Sequence, residues 1–532
     1  MAESAWFKTA VFYEVPVYAF GDANGDGTGD FAGLTQRLDY LQWLGVDCLW
    51  LLPFYESPLR DGGYDVADFR SVLSSYGTVD DVRRFIAEVH RRDMRVIADF
   101  VVNHTSDKHA WFQDARTPGS PTRDRYVWTD DPTRWSEARV IFTDTHDSNW
   151  TWDESAGAYF WHRFFEHQPD LNYDNADVRH EVEDAIRFWM EMGLDGLRLD
   201  AVPYLFERDG TNGENLPETH AYLKRLRAMV DREFPGAILL AEANQWPEDV
   251  VAYFGDGDEC HMAFHFPLMP RLFMSLKQQS AESVITILER TPQIPETAQW
   301  GVFLRNHDEL TLEMVTPDER AYMYEQYAPD PAMRKNLGIR RRLAPLVDGD
   351  RRRIELLHGL LLSLPGSPFL YYGDEIGMGD MYELADRDGV RTPMHWDATA
   401  GAGFSTQDPS RFYLPLVAAP GYTPADVNVA DQREDPHSLL RWIRSLLAIR
   451  SAHPVFGVGE FEPISASHPA LFAFRRSNSD ESILVVANVS DEPITSALEV
   501  TAEYASLVTD RTIQGGDVQL APYEFDWLLS SR

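Results

Sequence analysis

Cysteine is scarce in this chain of 532 residues, which holds only Cys48 and Cys260. Two cysteines do not make a disulfide framework, and Cys48 lies in an apolar run, DCLWLLP, where we expect it to pack in the interior. No apolar run is long enough to cross a bilayer, and the stretch MAESAWFKTAVFYEV lacks the basic and then apolar segments of a secretory signal. The sequence therefore predicts a cytoplasmic protein with no membrane partner.

Several motifs of common enzyme chemistry are absent as well. There is no G-x-S-x-G elbow, no H-E-x-x-H zinc helix and no G-x-x-x-x-G-K-[ST] phosphate loop, since no lysine follows a glycine. Basic residues are few: 48 Lys and Arg stand against 85 Asp and Glu, for a formal net charge of -37. A field of this sign repels phosphate backbones, which argues against a nucleic-acid partner, whereas a neutral substrate or a bound cation is compatible with it.

What the chain does contain is a regular alternation of short apolar runs and amphipathic helical patterns. Helical patterns such as VDDVRRFIAEVHRRD lie between the runs. This alternation predicts the α/β class and a parallel (β/α)8 TIM barrel. The eight runs are AVFYEVPVY (10–18), VDCLWLLP (46–53), MRVIADFVVN (94–103), DGLRLDAV (195–202), AILLAEAN (237–244), HMAFHFP (261–267), WGVFLRN (300–306) and PFLYYGDE (368–375).

Longer spacings and a final change of pattern predict the domain organisation. We assign residues 1–103 and 174–457 to the catalytic barrel and residues 104–173 to an excursion domain inserted after strand 3. Residues 318–350 and 377–436 are expected to be lid-like insertions over the same face of the barrel. From residue 458 to 532, short strand-like runs at close spacing predict a C-terminal antiparallel β-sandwich.

Acidic residues recur at the ends of the predicted barrel strands, where barrel enzymes build their active sites. Asp200, Glu242 and Asp308 end strands four, five and seven. One such acid alone is more often a helix cap or a surface charge, but several converging on one rim indicate glycoside cleavage by paired carboxylates. Arg198 projects to the same face of its strand as Asp200 and is expected to keep Asp200 ionised. Glu242 would need a raised pKa to act as an acid.

The motifs that carry these acids resemble the α-amylase family, glycoside hydrolase family 13. The four segments DFVVNH (99–104), GLRLDAV (196–202), LLAEAN (239–244) and FLRNHDE (303–309) occur in the family's order, with QPDLNYDN (168–175) as a fifth. The resemblance implies Asp200 as nucleophile, Glu242 as acid/base and Asp308 as transition-state stabiliser. It also implies a set of residues that bind the sugar, with Tyr64 stacking under the ring: Tyr64, Asp65, His104, Arg198, Asn244, His307 and Arg391.

Within this family, long stretches such as DGGYDVADF (61–69) and LSLPGSPFLYYGDEIGMGD (362–380) are similar to the trehalose synthase group, the maltose α-D-glucosyltransferases. That likeness implies isomerisation of maltose to trehalose through a β-glucosyl-enzyme, with a small neutral disaccharide as substrate and no organic cofactor. The sequence also allows a homo-oligomer. His395 replaces the usual Gln of the RTPMQW motif. Two alternatives stay open: a retaining α-glucosidase or oligo-1,6-glucosidase, whose 1,6-cleaving members also carry a valine at the position of Val202, and a non-catalytic sugar-binding homologue.

A loop after the first strand has the composition of a calcium site. Oxygen-bearing side chains alternate with glycine, as at the start of an EF-hand, but Gly33 stands where an EF-hand has Glu. The ligands would be Asp22, Asn24, Asp26, Thr28 through its carbonyl, and Asp30; the alternative is an Asp/Asn/Gly turn without an ion. The family resemblance implies a second calcium site formed by Asn103, Asp170, the carbonyls of Tyr204 and Leu205, and Glu207.

Overall fold

The computed structural model describes residues 3–530, with the side chains of residues 5–498, 503–513 and 516–530. Residues 1–2 of the predicted barrel segment, which also begin the stretch examined for a secretory signal, lie outside the described residues. The same holds for residues 531–532 of the predicted C-terminal domain. Within the described residues, no helix is long and apolar enough to cross a bilayer.

Eight parallel strands close into a barrel, which confirms the predicted fold. Every predicted apolar run overlaps one of them. Nearly all of their residues are buried because helices cover the outside while side chains fill the inside. Their closed order follows the chain, so the carboxyl ends of all eight strands meet on one rim. The strands are β1 Phe12–Val15, β2 Cys48–Leu51, β3 Arg95–Val101, β4 Gly196–Asp200, β5 Ile238–Ala241, β6 Met262–Phe264, β7 Gln299–Phe303 and β8 Ser367–Tyr371.

Several helices between these strands are amphipathic and begin with a side-chain cap. In the helix Val79–His90, Thr78 and Asp81 form a reciprocal capping box, and an apolar face that includes Phe85 packs on the barrel. The longer helices are Phe31–Gln36, Leu38–Leu44, Val79–His90, Ala176–Met190, Pro217–Glu233, Leu268–Gln278, Glu282–Arg290, Pro317–Tyr327, Arg351–Leu361, Val429–Glu434 and Leu439–Ala452. Short helices lie at Val17–Phe20, Ala110–Ala115, Pro247–Val250, Leu343–Leu346 and Val455–Val458.

The chain between β3 and the helix Ala176–Met190 forms the expected excursion. It contains the helix Ala110–Ala115 and a three-stranded antiparallel sheet of Trp128–Thr129, Trp150–Asp153 and Ala158–Trp161. A backbone bridge pairs His104 with Asp170, so the excursion leaves and rejoins the barrel rim at one place. The limits 104–173 stay a prediction as domain boundaries.

The two predicted lid segments have little strand structure. Residues 318–350 hold most of the helix Pro317–Tyr327 and a hairpin of Arg334–Lys335 and Gly338–Ile339, which pairs with Leu310–Thr311 after β7. Residues 377–436 are irregular apart from short 3-10 turns and the helix Val429–Glu434. Their role as lids stays a prediction.

Six antiparallel strands form the C-terminal domain, in agreement with the predicted β-sandwich. Phe474 and Trp527 belong to the apolar core that is continuous with the barrel, whereas Leu484, Val518 and Leu528 belong to a separate core. The domain therefore has its own interior and also packs on the barrel. Its strands, in the order β9-β10-β11-β14-β12-β13, are β9 Glu460–Pro463, β10 Leu471–Ser477, β11 Ser482–Asn488, β12 Ile494–Ser506, β13 Thr512–Leu520 and β14 Phe525–Ser530.

Candidate active site at the carboxyl rim of the barrel

A single buried arginine joins the acids at the ends of three neighbouring strands. Arg198 on β4 places Nη1 2.6 Å from Oδ1 of Asp99 and 2.6 Å from Oδ1 of Asp200. Its Nη2 lies 2.6 Å from Oε1 of Glu242, which directly follows β5. Because β3, β4 and β5 are adjacent in the barrel, residues distant in sequence meet at one guanidinium. An arginine suits this position, since its planar fork can hold several carboxylates at once.

Asp200 and Glu242 bind the same guanidinium, Asp200 at Nη1 and Glu242 at Nη2 of Arg198, each at 2.6 Å. Ala201, in the left-handed region at φ 54°, turns its N–H toward Glu242 and donates to Oε2 at 3.1 Å. Retaining glycosidases need carboxyl groups roughly 5–5.5 Å apart, whereas inverting enzymes leave roughly 6.5–9.5 Å for a water. Two carboxyl groups bound to one guanidinium are held close together, which favours the retaining arrangement.

The environments of these two acids give their carboxyl groups different pKa values. Burial raises the pKa of Asp200 to about 6, against the opposing charge of Arg198. Burial raises the pKa of Glu242 to about 7, with Arg198 opposing and Asp200 and Asp308 adding to the rise. Asp200 therefore ionises first and Glu242 keeps its proton longer, which is the order required of a nucleophile and an acid.

Asp308, after β7, is surrounded by cationic groups. Its Oδ1 lies 2.7 Å from Nη1 of Arg387 and 3.1 Å from Nη2 of Arg391, and its Oδ2 lies 3.1 Å from Nε2 of His307. Burial alone would raise the pKa of Asp308, but the charges of His307 and Arg387 outweigh it and hold that pKa well below its usual range. Asp308 is thus the most firmly ionised of the three acids.

Tyr64 links His307, which contacts Asp308, to Asp99 in the group of acids around Arg198. Its hydroxyl lies 2.8 Å from Oδ2 of Asp99 and 2.8 Å from Nε2 of His307. The Tyr64 and His307 rings are nearly parallel, with centroids 5.4 Å apart and an interplanar angle of 12°. Burial would lower the pKa of His307, but Asp308 and then Glu14 raise it to about 9. One hydrogen-bonded cluster therefore supports all three acids.

Above the acids lies a cavity of about 120 Å³, with walls from separate parts of the chain. The excursion supplies Ile141, Phe142 and Phe164, and the loop after β4 supplies Pro203 and Tyr204. A wall that combines apolar and aromatic side chains with many polar and charged groups suits a sugar, which has apolar ring faces and hydroxyl edges. The remaining lining residues are Asp61, Tyr64, His104, Asp200, Ala201, Glu242, Asn244, Phe266, Asn306, Asp308, Glu309, Thr311, Glu313 and Arg387.

The structure divides the predicted site residues into two layers. Asp200, Glu242 and Asp308 line the cavity, as do three predicted sugar-binding residues, Tyr64, His104 and Asn244. Arg198, His307 and Arg391 are buried behind that wall, and each contacts at least one of the three acids. In the structure these three residues contact the acids, and their predicted contact with sugar stays a prediction.

Asp65 is the one predicted sugar-binding residue with no place in the cavity wall. Its carboxylate is buried and accepts hydrogen bonds from the Ser57 hydroxyl at 2.9 Å and from the backbone N–H groups of Arg60 and Asp61 at 3.1 and 3.2 Å. Asp65 fixes the loop and does not line the cavity, and its role as a sugar ligand stays a prediction. The carboxylate that reaches the cavity is Asp61, four residues earlier.

Sequence reasoning also missed Arg387, the cationic residue of the cavity wall. Its Nη1 contacts Asp308 at 2.7 Å and its Nη2 contacts Asp61 at 2.6 Å. Arg387 lies four residues before Arg391 in the same loop segment, ADRDGVRTPMHW, and this closeness to a predicted site residue is the signal that could have identified it. His395 of that motif is buried, with Nδ1 3.0 Å from the Val427 carbonyl, and it is not part of the wall.

Several buried polar atoms in the wall have no protein partner. They are Nε2 of His104, Oδ1 of Asn244 and Oε2 of Glu309. Burial lowers the pKa of His104 to about 3, so this ring is neutral at ordinary pH. Unpaired buried polar groups are costly, and hydroxyls of a bound sugar would pair with them.

An ionic network beside the cavity, which we call the Arg139 bridge, connects the excursion to two residues of the cavity wall. Arg139 of the excursion contacts Glu214 at 2.8 Å and Glu313 at 2.6 Å, and donates to the Tyr204 hydroxyl at 3.1 Å. Tyr204 and Glu313 line the cavity and come from the loops after β4 and β7. The bridge therefore ties three separate rim segments together around the site.

The first predicted calcium loop is held by its own hydrogen bonds. Asp22 accepts from the N–H groups of Gly25 and Gly27, at 2.7 and 2.8 Å, and Asp30 accepts from those of Ala23 and Asn24, both at 3.1 Å. These bonds account for the turn without an ion. Among the described residues, no three His, Cys, Asp or Glu side chains are grouped so as to hold a metal ion. Asp22, Asn24, Asp26, Thr28 and Asp30 remain a prediction as ligands.

The second predicted calcium site differs from the first because two of its predicted ligand oxygens are unpaired. Oδ1 of Asn103 and Oδ2 of Asp170 are buried without a hydrogen-bond partner. Burial, and then the charge of Glu207, raises the pKa of Asp170 well above its usual range, and burial raises the pKa of Glu207 to about 8. Tyr204 and Leu205 come just before Glu207 in the same loop. Acceptor oxygens grouped with few donors fit a hard cation.

Comparisons with known proteins agree with this geometry. The family model described as "Alpha amylase, catalytic domain" matches residues 16–328 and 340–459. Trehalose synthase/amylase TreS of Mycobacterium tuberculosis (strain ATCC 25618 / H37Rv) is 57% identical over 532 residues, covering 98% of this chain and 88% of that protein. Trehalose synthase of Pimelobacter sp. (strain R48) is 57% identical over 505 residues, covering 92% and 88%.

A solved structure gives the same result at the level of the fold. A mutant of the trehalulose synthase MutB, in complex with Tris, has a TM-score of 0.82 at 29% identity, covering 99% of this chain and 100% of that one. Together, these relatives confirm the predicted resemblance to the trehalose synthase group.

Proposed function

Because this chain belongs to the α-amylase family and is an enzyme of its glucosyltransferase and isomerase kind, we propose that it isomerises maltose to trehalose, with minor hydrolysis to glucose. The observation that carries the proposal is the pairing of a retaining carboxylate site with rim segments that the Arg139 bridge joins beside the cavity. The first feature suits glucosyl transfer, and the second suits transfer to a sugar rather than to water.

In the first half of the reaction, Asp200 attacks the anomeric carbon of the non-reducing glucose. The bond from that carbon to the linking oxygen breaks, and Glu242 gives its proton to the departing oxygen. A β-glucosyl ester on Asp200 and a free glucose result. Asp308, held ionised by His307 and Arg387, stabilises the positive charge that develops on the ring.

In the second half, the released glucose turns within the cavity and presents its anomeric hydroxyl. Glu242, now ionised, takes the proton of that hydroxyl, whose oxygen attacks the anomeric carbon, and the carboxylate of Asp200 leaves. Two inversions give net retention. The unpaired Oδ1 of Asn244 and Oε2 of Glu309 support this step, since they offer acceptors for hydroxyls of the turning glucose.

Exclusion of water decides between isomerisation and hydrolysis. A water molecule that reached the ester on Asp200 would release a second glucose instead of trehalose. Phe142 and Phe164 supply an aromatic part of the cavity wall, and the Arg139 bridge holds neighbouring rim segments together, so both would limit the access of water to the ester. These features favour the isomerase over the α-glucosidase alternative, which shares the same carboxylates.

The proposal includes a calcium ion held by Asn103, Asp170 and Glu207, with the carbonyls of Tyr204 and Leu205. When bound, such a cation would neutralise the buried carboxylates and fix the excursion to the loop after β4. The unpaired oxygens of Asn103 and Asp170 support it. A cytoplasmic location and assembly as a homo-oligomer stay predictions.

The test is a time course with maltose followed by NMR. We expect trehalose to appear as the main product, with a smaller yield of glucose. Glucose alone would refute the isomerase proposal and support the α-glucosidase. Absence of any product from maltose and from an aryl α-glucoside would instead support a non-catalytic sugar-binding protein. Asp200→Asn serves as the inactive control.

A further inference from the structure

Glu14 is a buried acid inside the barrel that no motif of the sequence identifies. It lies on β1 with about 1% of its surface exposed, in a run whose other residues are apolar or aromatic. Its Oε1 is 2.6 Å from Nδ1 of His307 and accepts from the His307 backbone N–H at 3.1 Å. A buried carboxylate is costly unless paired, so this contact needs an explanation.

The opposite edge of the His307 ring faces the active site. Its Nε2 lies 3.1 Å from Oδ2 of Asp308 and 2.8 Å from the Tyr64 hydroxyl. The ring thus lies between two carboxylates, one on each nitrogen. Only a ring with protons on both nitrogens can donate to both of them.

We propose that Glu14 is a positioning residue for the reaction, acting through His307: its carboxylate keeps a proton on each ring nitrogen and so holds Asp308 in place for the sugar. Glu14 touches no part of the cavity wall, so its effect passes through the ring. The inference rests on the proposed glucosyl transfer but applies equally if the acceptor is water.

Without the Glu14 charge, the His307 ring would no longer hold a proton on both nitrogens. A neutral imidazole with its proton on Nδ1 would present a lone pair to Asp308 at 3.1 Å, which is repulsive. Asp308 would then be held by Arg387 and Arg391 alone, on its other oxygen. The carboxylate would rotate away from the position that stabilises the charged ring of the sugar.

The groups facing His307 account for its charge state. Glu14 comes from β1, Tyr64 from the loop after β2, Asp99 from β3, and Asp308 follows in sequence. On the remaining side, Arg391 donates to the His307 carbonyl at 2.9 Å, and both Arg391 and Arg387 contact Asp308. The pKa of about 9 for His307 agrees with this balance, in which Asp308 and Glu14 outweigh burial.

The experiment compares Glu14→Gln with the unchanged protein. Gln keeps the shape and a hydrogen-bonding group but removes the charge. The readouts are kcat/KM against pH for an aryl α-glucoside, and the NMR titration of His307 in protein with ¹³C-labelled histidine, assigned with His307→Asn. Release of the aryl group reports glucosyl transfer to water and to sugar alike, so a failed isomerase proposal would leave the test intact.

We expect Glu14→Gln to lower kcat/KM by about 10- to 100-fold near neutral pH, the range found when a group behind a functional ligand is changed. The loss should be smallest at the acid end, where His307 regains its second proton. The His307 titration should move down toward the ordinary histidine pKa of about 6.5. An unchanged His307 titration, or a uniform loss at every pH, would overturn the proposal.

Two controls separate positioning from packing. Glu14→Asp keeps the charge and should restore the native pH dependence, even if the longer gap lowers activity. Glu375→Gln alters another buried acid near the end of β8, one that accepts from the hydroxyls of Tyr13 and Tyr40 at 2.8 and 2.7 Å. It should affect stability without moving the His307 titration. A shift of equal size in Glu375→Gln would mean that Glu14 is only structural.

Discussion

Removing the Arg139 bridge should change what the enzyme makes rather than whether it works. In Arg139→Ala, the ionic contacts to Glu214 and Glu313 and the hydrogen bond to Tyr204 are lost, and none of the three acids is altered. The rim segments would then separate more often, and water would reach the glucosyl ester. We expect the ratio of glucose to trehalose to rise while consumption of maltose continues.

The size of the effect follows from the exposure of the bridge. The Arg139 side chain is 36% exposed, whereas those of Glu214 and Glu313 are 8% and 15% exposed. Exposed ion pairs contribute about 0.2–1 kcal/mol and buried charged hydrogen bonds about 1.5–3 kcal/mol, so two intermediate contacts stabilise the closed rim by about 2 kcal/mol. Since 1.4 kcal/mol is a factor of ten, the ratio should rise by up to roughly thirtyfold.

The assay is the initial rate of both products from maltose, followed by NMR in the same sample. Arg116→Ala is the matched control, because Arg116 also forms an ion pair in the excursion, with Asp153 at 2.7 Å, but neither residue lines the cavity. Its side chain is 31% exposed, close to that of Arg139. An unchanged product ratio in folded Arg139→Ala, or an equal change in Arg116→Ala, would refute the reasoning.

Three further predictions concern the acids and the cation. First, kcat/KM should fall as pH drops through about 6, where Asp200 gains a proton, and as pH rises through about 7, where Glu242 loses one. A profile that stays flat from about pH 4 to about pH 9, roughly two units on either side of these values, would contradict the assignment. Second, Glu242→Gln should still react with α-glucosyl fluoride, which needs no acid, and mass spectrometry should find glucosyl ester on Asp200, whereas Asp200→Asn should form none. Third, chelation should lower the melting temperature and calcium should restore it, and Asp170→Asn should abolish this response; equal responses in both proteins would argue against a cation at Asp170.

The sequence was sufficient for the barrel because its signal is local and repeated. Each strand is a short apolar run, and each run is followed by helical periodicity, so eight strands could be located within a few residues. Asp200, Glu242 and Asp308 follow from the same logic, since strand ends on one rim must be close together. Their convergence required no knowledge of loop conformation.

Loop residues could not be placed in this way. Asp61 and Asp65 are both acids of the segment DGGYD, and only the backbone decides which one faces the cavity. Gly62 and Gly63 have φ values of 57° and 105°, and this left-handed pair reverses the chain between the two acids. A Cβ on Gly62 would lie 2.5 Å from Nη1 of Arg391, so the turn also makes room for that guanidinium. Nothing in composition or spacing encodes this choice.

Long-range polar contacts escaped prediction for a related reason. Arg139 contacts residues 65, 75 and 174 positions away, and Glu14 contacts a histidine 293 positions away. In the sequence, Glu14 is one acid in an apolar strand, and Arg139 is one cation in an irregular loop. Their contacts form only when the folded barrel brings distant segments together, so the sequence alone does not show them.

None of the Arg139 bridge residues is one of the three acids that cleave the bond, and this separation has a practical result. A library that varies only positions 139, 214 and 313 would leave Asp200, Glu242 and Asp308 untouched in every member. Variants that favour hydrolysis or isomerisation could then be selected through single substitutions at the rim, because every member of the library keeps the three acids.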